Sequence, residues 1–222
     1  MRATSPLLHL PVFPTASFSR KEISSVMELH HGIPDFSTDI ENCLVLLKAG
    51  GLILYPTDTI WGIGCDATNP DAVKKIFSLK QRAETKSLIV LMADERDILK
   101  YTSQPDLQVF DFLRTVQKPT TVIYEGPMGL ADNLTGTDGT VAIRLVDDPF
   151  CRHLIRRFRK PIVSTSANIS GRPAPAFFDE IEDPIKAGVD GIVQYRQQDT
   201  SPRQPSAIVK WNKDGTVTII RP

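Results

Sequence analysis

Asn69-Pro70-Asp71-Ala72-Val73-Lys74-Lys75-Ile76-Phe77-Ser78-Leu79 leads through Lys80-Gln81-Arg82 to Ser87-Leu88-Ile89-Val90-Leu91-Met92. The first run predicts a helix. Asn69 is a cap, Pro70 takes the first helical position, and Ala72, Val73, Ile76 and Phe77 recur at helical spacing while Lys74 and Lys75 face outward. Leu88 to Met92 is apolar without alternation, the pattern of a strand covered on both faces. A capped helix feeding a two-sided strand predicts an α/β chain.

Working outward, Ser37 or Thr38 caps a helix carrying Ile40, Cys43, Leu44 and Leu47, stopped by Gly50-Gly51. Leu52 to Tyr55 is a short strand ended by Pro56. Helices are expected around Glu95–Lys100, Asp106–Val116, Phe150–Phe158 and Asp179–Ala187. Strands are expected at Thr120–Tyr124, Val141–Val146, Pro161–Ser164, Gly191–Val193, Ala207–Trp211 and Val217–Ile220. No repeat or linker interrupts them, so one α/β domain with a mixed sheet is expected. The polar stretch Tyr195–Pro205 reads as a mobile loop and a candidate lid.

The 222 residues suffice for one well-buried core. Lys+Arg and Asp+Glu balance at 26 each, so any anion site is a local cluster and not a whole-molecule field. Cys43, Cys65 and Cys151 are odd in number and far apart, which predicts buried free thiols in a reducing compartment. His9, His30, His31 and His153 lack zinc-ligand spacing, and no structural metal is expected. No apolar run reaches membrane-spanning length. Before Glu22 there is no acidic residue, but Pro6, Pro11 and Pro14 oppose the amphipathic helix of a transit peptide. Residues 1–36 are read as a loose arm or an over-long gene start with Met27 as the true one, and residues 37–222 as the catalytic domain.

Gly62-Ile63-Gly64-Cys65-Asp66-Ala67 matches the dinucleotide pattern G-x-G-x-x-A, but its glycines do not open a helix; it reads as a tight backbone turn. There is no G-x-x-x-x-G-K-[ST] and no G-x-S-x-G. Lys80, Arg82 and Lys86 are a phosphate-binding set or a solvated helix end complementing the helix dipole. Pro56-Thr57-Asp58-Thr59 and Ser164-Thr165-Ser166-Ala167-Asn168 are turns or ligand donors beyond strand ends. Arg144, within an apolar strand, requires an anionic partner, either a structural carboxylate or a ligand's. If Lys80-Gln81-Arg82 and Ser164–Asn168 converge, cations, hydroxyls and an amide face one cavity suited to a polyphosphate.

The ordered set resembles the YrdC-like family of threonylcarbamoyl-AMP synthases. It comprises Gly50-Gly51 with Tyr55-Pro56-Thr57-Asp58-Thr59, Trp61-Gly62-Ile63-Gly64, Lys80-Gln81-Arg82 and Ser87-Leu88-Ile89-Val90. It continues with Thr140-Val141-Ala142-Ile143-Arg144, Ser164 to Asn168, Arg172-Pro173, Pro205-Ser206 and Arg221-Pro222. The resemblance implies a twisted mixed parallel/antiparallel sheet flanked by helices, around a large concave basic cavity. It implies that L-threonine, bicarbonate and ATP give threonylcarbamoyl-AMP and pyrophosphate for tRNA t6A modification in the cytoplasm.

By position it assigns Thr59, Arg144, Ser164 and Ser206 to threonine. Arg82, Lys86, Thr140, Ser166, Ala174 and Arg221 go to ATP, while Lys80, Arg82, Ser166 and Asn168 form the catalytic set. ATP is a substrate, Mg2+ accompanies its triphosphate without dedicated protein ligands, and the t6A transferase machinery receives the adenylate. Weak RNA binding is a further implied partner interaction, and a membrane is not. Ala83, Ser87 and Leu91 depart from the family pattern, as does Gln117-Lys118-Pro119-Thr120-Thr121. A non-synthase, YciO-like paralogue binding RNA or nucleotide in the same cavity is the alternative; the retained Lys80 favours the synthase.

Overall fold

The computed structural model describes residues 35–83, 87–103, 105–212 and 214–222. Phe36–Pro222 form one compact unit. Residues 1–34 lie outside the described residues, and with them nearly all of the expected arm.

The helix at the centre of the sequence reading forms as expected. Helix α2 (Pro70–Leu79) is capped by Asn69, whose side-chain oxygen accepts from the amides of Asp71 and Ala72 at 3.0 and 3.1 Å. It buries Ala72, Val73, Ile76 and Phe77. Helix α1 (Ser37–Lys48) differs: Phe36 is its cap residue and no side chain caps it. The Phe36 ring packs edge-on against Phe150 at 5.5 Å, so an apolar contact sets the entry where a hydroxyl was expected.

Both helices end in the same paired hydrogen bonds. After α1, Gly50 (φ 71°) and Gly51 bond back to Leu47 and Leu46 at 3.1 and 2.9 Å. After α2, Gln81 (φ 50°) and Arg82 bond back to Ser78 and Phe77 at 3.1 and 2.9 Å. The left-handed residue is glycine in one and glutamine in the other, where a side chain costs about 1–2 kcal/mol.

The strands are β1 (Ile53–Tyr55), β2 (Gly62–Gly64), β3 (Ile89–Met92), β4 (Thr120–Glu125), β5 (Thr140–Leu145), β6 (Ile162–Ser166), β7 (Gly191–Ile192), β8 (Ala207–Trp211) and β9 (Val217–Arg221). They form one mixed sheet in the order β7-β1-β2-β6-β3-β5-β4-β8-β9. Pairs β1–β7, β3–β5 and β4–β8 are parallel, and the other neighbours are antiparallel.

Gly62-Ile63-Gly64 is therefore a strand and not a tight turn. Its glycines admit close neighbours: a Cβ on Gly64 would lie 2.6 Å from both the Tyr55 ring and the Val163 carbonyl. The strand expected to end at Ser164 also runs further into the polar segment, since Ser164, Thr165 and Ser166 all belong to β6.

Alternation along the strands divides the core between the two faces. Val90, Met92, Ile143 and Val163 pack with α2, α3 (Glu95–Tyr101), α4 (Gln108–Thr115) and α6 (Asp183–Ala187). Leu91, Ile162 and Val146 pack on the other face with α1 and α5 (Pro149–Phe158). Arg144, Ile89, Ser164 and Ile208 line a hollow, and Ile89 also packs against the α1/α5 core. The functional candidates gather on this face.

Candidate functional site

A cavity of about 280 Å³ opens on the α1/α5 side of the sheet. Arg82, Arg144, Arg172 and Arg221 line it, with hydroxyls from Thr59, Ser87, Ser164, Thr165, Ser166 and Ser206; among the described residues no acidic side chain lines it. Arg82 follows α2, Ser166 ends β6 and Arg221 ends β9, so segments far apart in sequence meet at one hollow. Ala174 and Asn168 line it as well.

Arg144 reaches the cavity from β5 and is 3% exposed. Its Nη1 donates to Asp58 Oδ1 in an ion pair, and Asp58 Oδ2 also accepts from the Asp147 amide at 3.3 Å. Arg144 Nε is buried without a partner, and among the described residues Nη2 makes no hydrogen bond. Nε and Nη2 form one edge of the guanidinium, the edge that grips a carboxylate by two parallel bonds. The structural carboxylate and the ligand carboxylate left open by the sequence are thus compatible: Asp58 occupies one nitrogen and leaves the fork.

Lys80 does not face the cavity. It is 1% exposed, and its Nζ donates to the Ser166 carbonyl, to the Asn168 carbonyl at 2.6 Å and to Asn168 Oδ1 at 3.4 Å. An ammonium has three donors, and these acceptors use them all. Ser170 N donates in return to the Lys80 carbonyl at 2.8 Å. Asn168 Nδ2, turned the other way, donates to the Arg172 carbonyl at 2.6 Å. The expected phosphate-facing lysine is instead a bolt beneath the cavity floor. The left-handed turn at Gln81 separates it from Arg82, which lines the cavity and donates from Nη2 to the Ser87 carbonyl at 2.9 Å.

Ser206 Oγ shares a 2.8 Å hydrogen bond with Thr121 Oγ1, and its carbonyl accepts from Arg221 Nε and Nη2 at 3.0 and 2.8 Å. Arg221 owes its direction to an irregularity. Val209 pairs with Ile219 but Ile208 pairs with Arg221, leaving Ile220 as an extra residue in β9. That bulge puts Arg221 on the face of Ile208, which lines the cavity; strict alternation would have sent it to the other face.

Besides Lys80, one assigned residue among the described ones is not brought to the cavity. Thr140 starts β5 outside the lining, its hydroxyl donating to Asp138 Oδ1 at 2.7 Å. Lys86 lies outside the described residues. Leu91, one of the departures, is fully buried against α1 and α5. Arg172 and Asp58 carry no site assignment in the sequence reading, although both stand in stretches that bear the resemblance, Arg172-Pro173 and Pro56-Thr57-Asp58-Thr59. Among the described residues no three His, Cys, Asp or Glu groups cluster to hold a metal, and no helix is long and apolar enough to cross a membrane.

The sequence model of the Sua5_yciO_yrdC family, described as "Telomere recombination", matches residues 45–222. The chain is 34% identical over 174 residues to the Threonylcarbamoyl-AMP synthase of Vibrio parahaemolyticus, covering 77% of this chain and 92% of that one. Its fold is similar to P. abyssi Sua5 complexed with L-threonine, with TM-score 0.73 and 23% identity. The match covers 83% of this chain and 54% of that chain, so it spans about half of the Sua5 protein's length. E. coli YciO matches with TM-score 0.72 and 20% identity, over 83% of this chain and 88% of that one.

Proposed function

The chain belongs to the Sua5/YciO/YrdC family, and from that premise we propose that it is an L-threonylcarbamoyladenylate synthase. It makes threonylcarbamoyl-AMP and pyrophosphate from L-threonine, bicarbonate and ATP, for t6A modification of tRNA. The observation that carries the assignment is the meeting of Arg82, Ser166, Arg144, Ser206 and Arg221 at one cavity.

Threonine is placed at the Arg144 end. The unpartnered Nε/Nη2 edge of Arg144 takes its carboxylate as a fork, with Thr59, Ser164 and Ser206 as neutral hydrogen-bonding neighbours. ATP is placed toward Arg82, Ser166, Arg221 and main chain at Ala174, with Lys86 beside Arg82 in sequence. The threonine amine and bicarbonate condense to a carbamate with loss of water, the carbamate attacks the α-phosphorus through oxygen, and the bond from that phosphorus to the bridging β-phosphate oxygen breaks, releasing pyrophosphate. Both partners are anions, so the arginines offset their repulsion and the charge growing on pyrophosphate. No protein nucleophile enters; catalysis is positioning and electrostatic stabilisation. Thr140, occupied by Asp138, is assigned at most an indirect part, and Lys80 acts by holding the Ser166–Asn168 segment.

Magnesium fits this site only as a companion of the triphosphate. Among the described residues the lining offers arginines and no carboxylate, so phosphate oxygens and water supply its ligands. We place the enzyme in the cytoplasm, passing its adenylate to the t6A transferase machinery.

Purified protein incubated with ATP, threonine and bicarbonate should release pyrophosphate only when all three are present. Release that ignores threonine or bicarbonate overturns the assignment. Binding of duplex RNA that ATP does not displace would favour the YciO-like alternative.

A further inference from the structure

The Tyr195–Pro205 stretch, expected as a mobile lid, is tied to the substrate site by two arginines. Arg196 adopts a left-handed backbone (φ 64°), uncommon for a side chain of this size. Its Nη1 donates to Asp148 Oδ2 and its Nη2 to the Thr57 carbonyl, each at 2.5 Å. Arg203 donates from Nη1 to the Asp58 carbonyl at 3.4 Å and from Nη2 to Asp199 Oδ2 at 3.0 Å. Asp199 is held in turn by the Ser201 amide at 2.9 Å. The strap is rooted where Asp39 of α1 accepts from the Gln194 and Tyr195 amides at 3.0 and 2.8 Å.

The two arginines thus grip consecutive carbonyls of one turn, Thr57 and Asp58. That turn carries Asp58, whose side chain holds Arg144 by Nη1, and Thr59, which lines the cavity. A shift of the turn moves the carboxylate that sets the angle of the Arg144 fork. A bidentate contact tolerates little rotation, so its strength depends on that angle.

We propose, building on the synthase activity above, that Arg203 and Arg196 are positioning residues for threonine capture. They act through the Thr57–Asp58 carbonyls to set Asp58, and through Asp58 to set the Arg144 fork. Arg82 and Arg221, placed toward ATP, stand outside this relay: Arg221 is anchored at the Ser206 carbonyl, beyond the Arg203 contact and not on the Thr57–Asp58 turn.

The test is a steady-state comparison of wild type, Arg203→Ala, Arg203→Lys and Asp58→Asn, with pyrophosphate as readout and threonine and ATP varied separately. Arg203→Ala should raise the KM for threonine about tenfold while the KM for ATP stays within about twofold, a loss of roughly 1.4 kcal/mol confined to one substrate. Asp58→Asn should do the same or more, and Arg203→Lys should fall between Arg203→Ala and wild type. A merely structural role would lower the melting temperature and the active fraction without separating the two KM values. Should Arg203→Ala prove poorly folded, threonine affinity of Arg203→Lys by calorimetry decides instead: unchanged affinity overturns the proposal. An active wild type whose threonine KM is untouched in Arg203→Ala overturns the relay alone. A wild type that releases no threonine-dependent pyrophosphate overturns the synthase assignment and the relay together.

Discussion

Lys80 Nζ lies 2.6 Å from the Asn168 carbonyl oxygen, joining the end of α2 to the end of β6 across 88 residues of chain. With its bonds to the Ser166 carbonyl and Asn168 Oδ1, the lysine replaces the solvent that those oxygens would otherwise need. The cavity floor is therefore built on a buried lysine, and only Arg82 of the pair faces the cavity.

Lys80 and Arg82 should consequently respond differently to truncation. Lys80→Met leaves buried oxygens unmatched and should cost about 1–3 kcal/mol of stability as well as activity. Arg82→Ala should abolish or severely reduce pyrophosphate release with a change within about 0.5 kcal/mol. Urea unfolding of both variants beside turnover checks this; equal stability losses would contradict the assigned positions.

The same lysine predicts a pH dependence. Burial, and after it the Arg82 charge, pushes its pKa down to about 7. An unfolded lysine titrates near 10.4. Between those values the unfolded chain binds more protons than the folded one, so this group makes stability rise with pH, by up to about 1.4 kcal/mol per unit. Below pH 7 the cost of the buried charge is carried in full. The stability of wild type relative to Lys80→Met should therefore grow as pH rises above about 7. A flat difference would mean that the oxygen acceptors keep the ammonium charged.

Much of the fold was readable because its signals are local. Asn69-Pro70 announces α2 by chemistry within four residues, and Leu88 to Met92 shows two-sided burial by composition alone. Gly62–Gly64 was misread as a turn because the reason for its glycines is the Tyr55 ring and the Val163 carbonyl, which belong to neighbouring strands. The site was legible in its residue types but not in their directions. Nothing local says which cation of Lys80-Gln81-Arg82 turns inward, since a left-handed glutamine does the separating. Arg144 announced its need for an anion, yet its partner Asp58 stands 86 residues away.

The three thiols should be inert in the native protein. Burial, with a smaller contribution from Asp39, pushes the Cys43 thiol up to about 12, and burial raises Cys65 and Cys151 as well. Reactivity requires thiolate and access, and all three cysteines are buried and free of disulfides. Treatment with an alkylating reagent at mildly alkaline pH should label none of them until denaturant is added. Rapid labelling of one without loss of activity would contradict its burial.

The bulge in β9 makes an unusual prediction about deletion. Ile220 is the extra residue between Ile219, opposite Val209, and Arg221, opposite Ile208. It is 57% exposed, so its removal sacrifices little packing. Without it the ladder becomes regular, and Arg221 still falls opposite Ile208 on the cavity face. Deleting Ile220 should therefore leave threonine-dependent pyrophosphate release within a few fold of wild type, whereas Arg221→Leu should lower it at least about tenfold, roughly 1.4 kcal/mol. If Arg221 instead reached the cavity by simple alternation, the deletion would turn it to the opposite face and the two variants would be equally impaired.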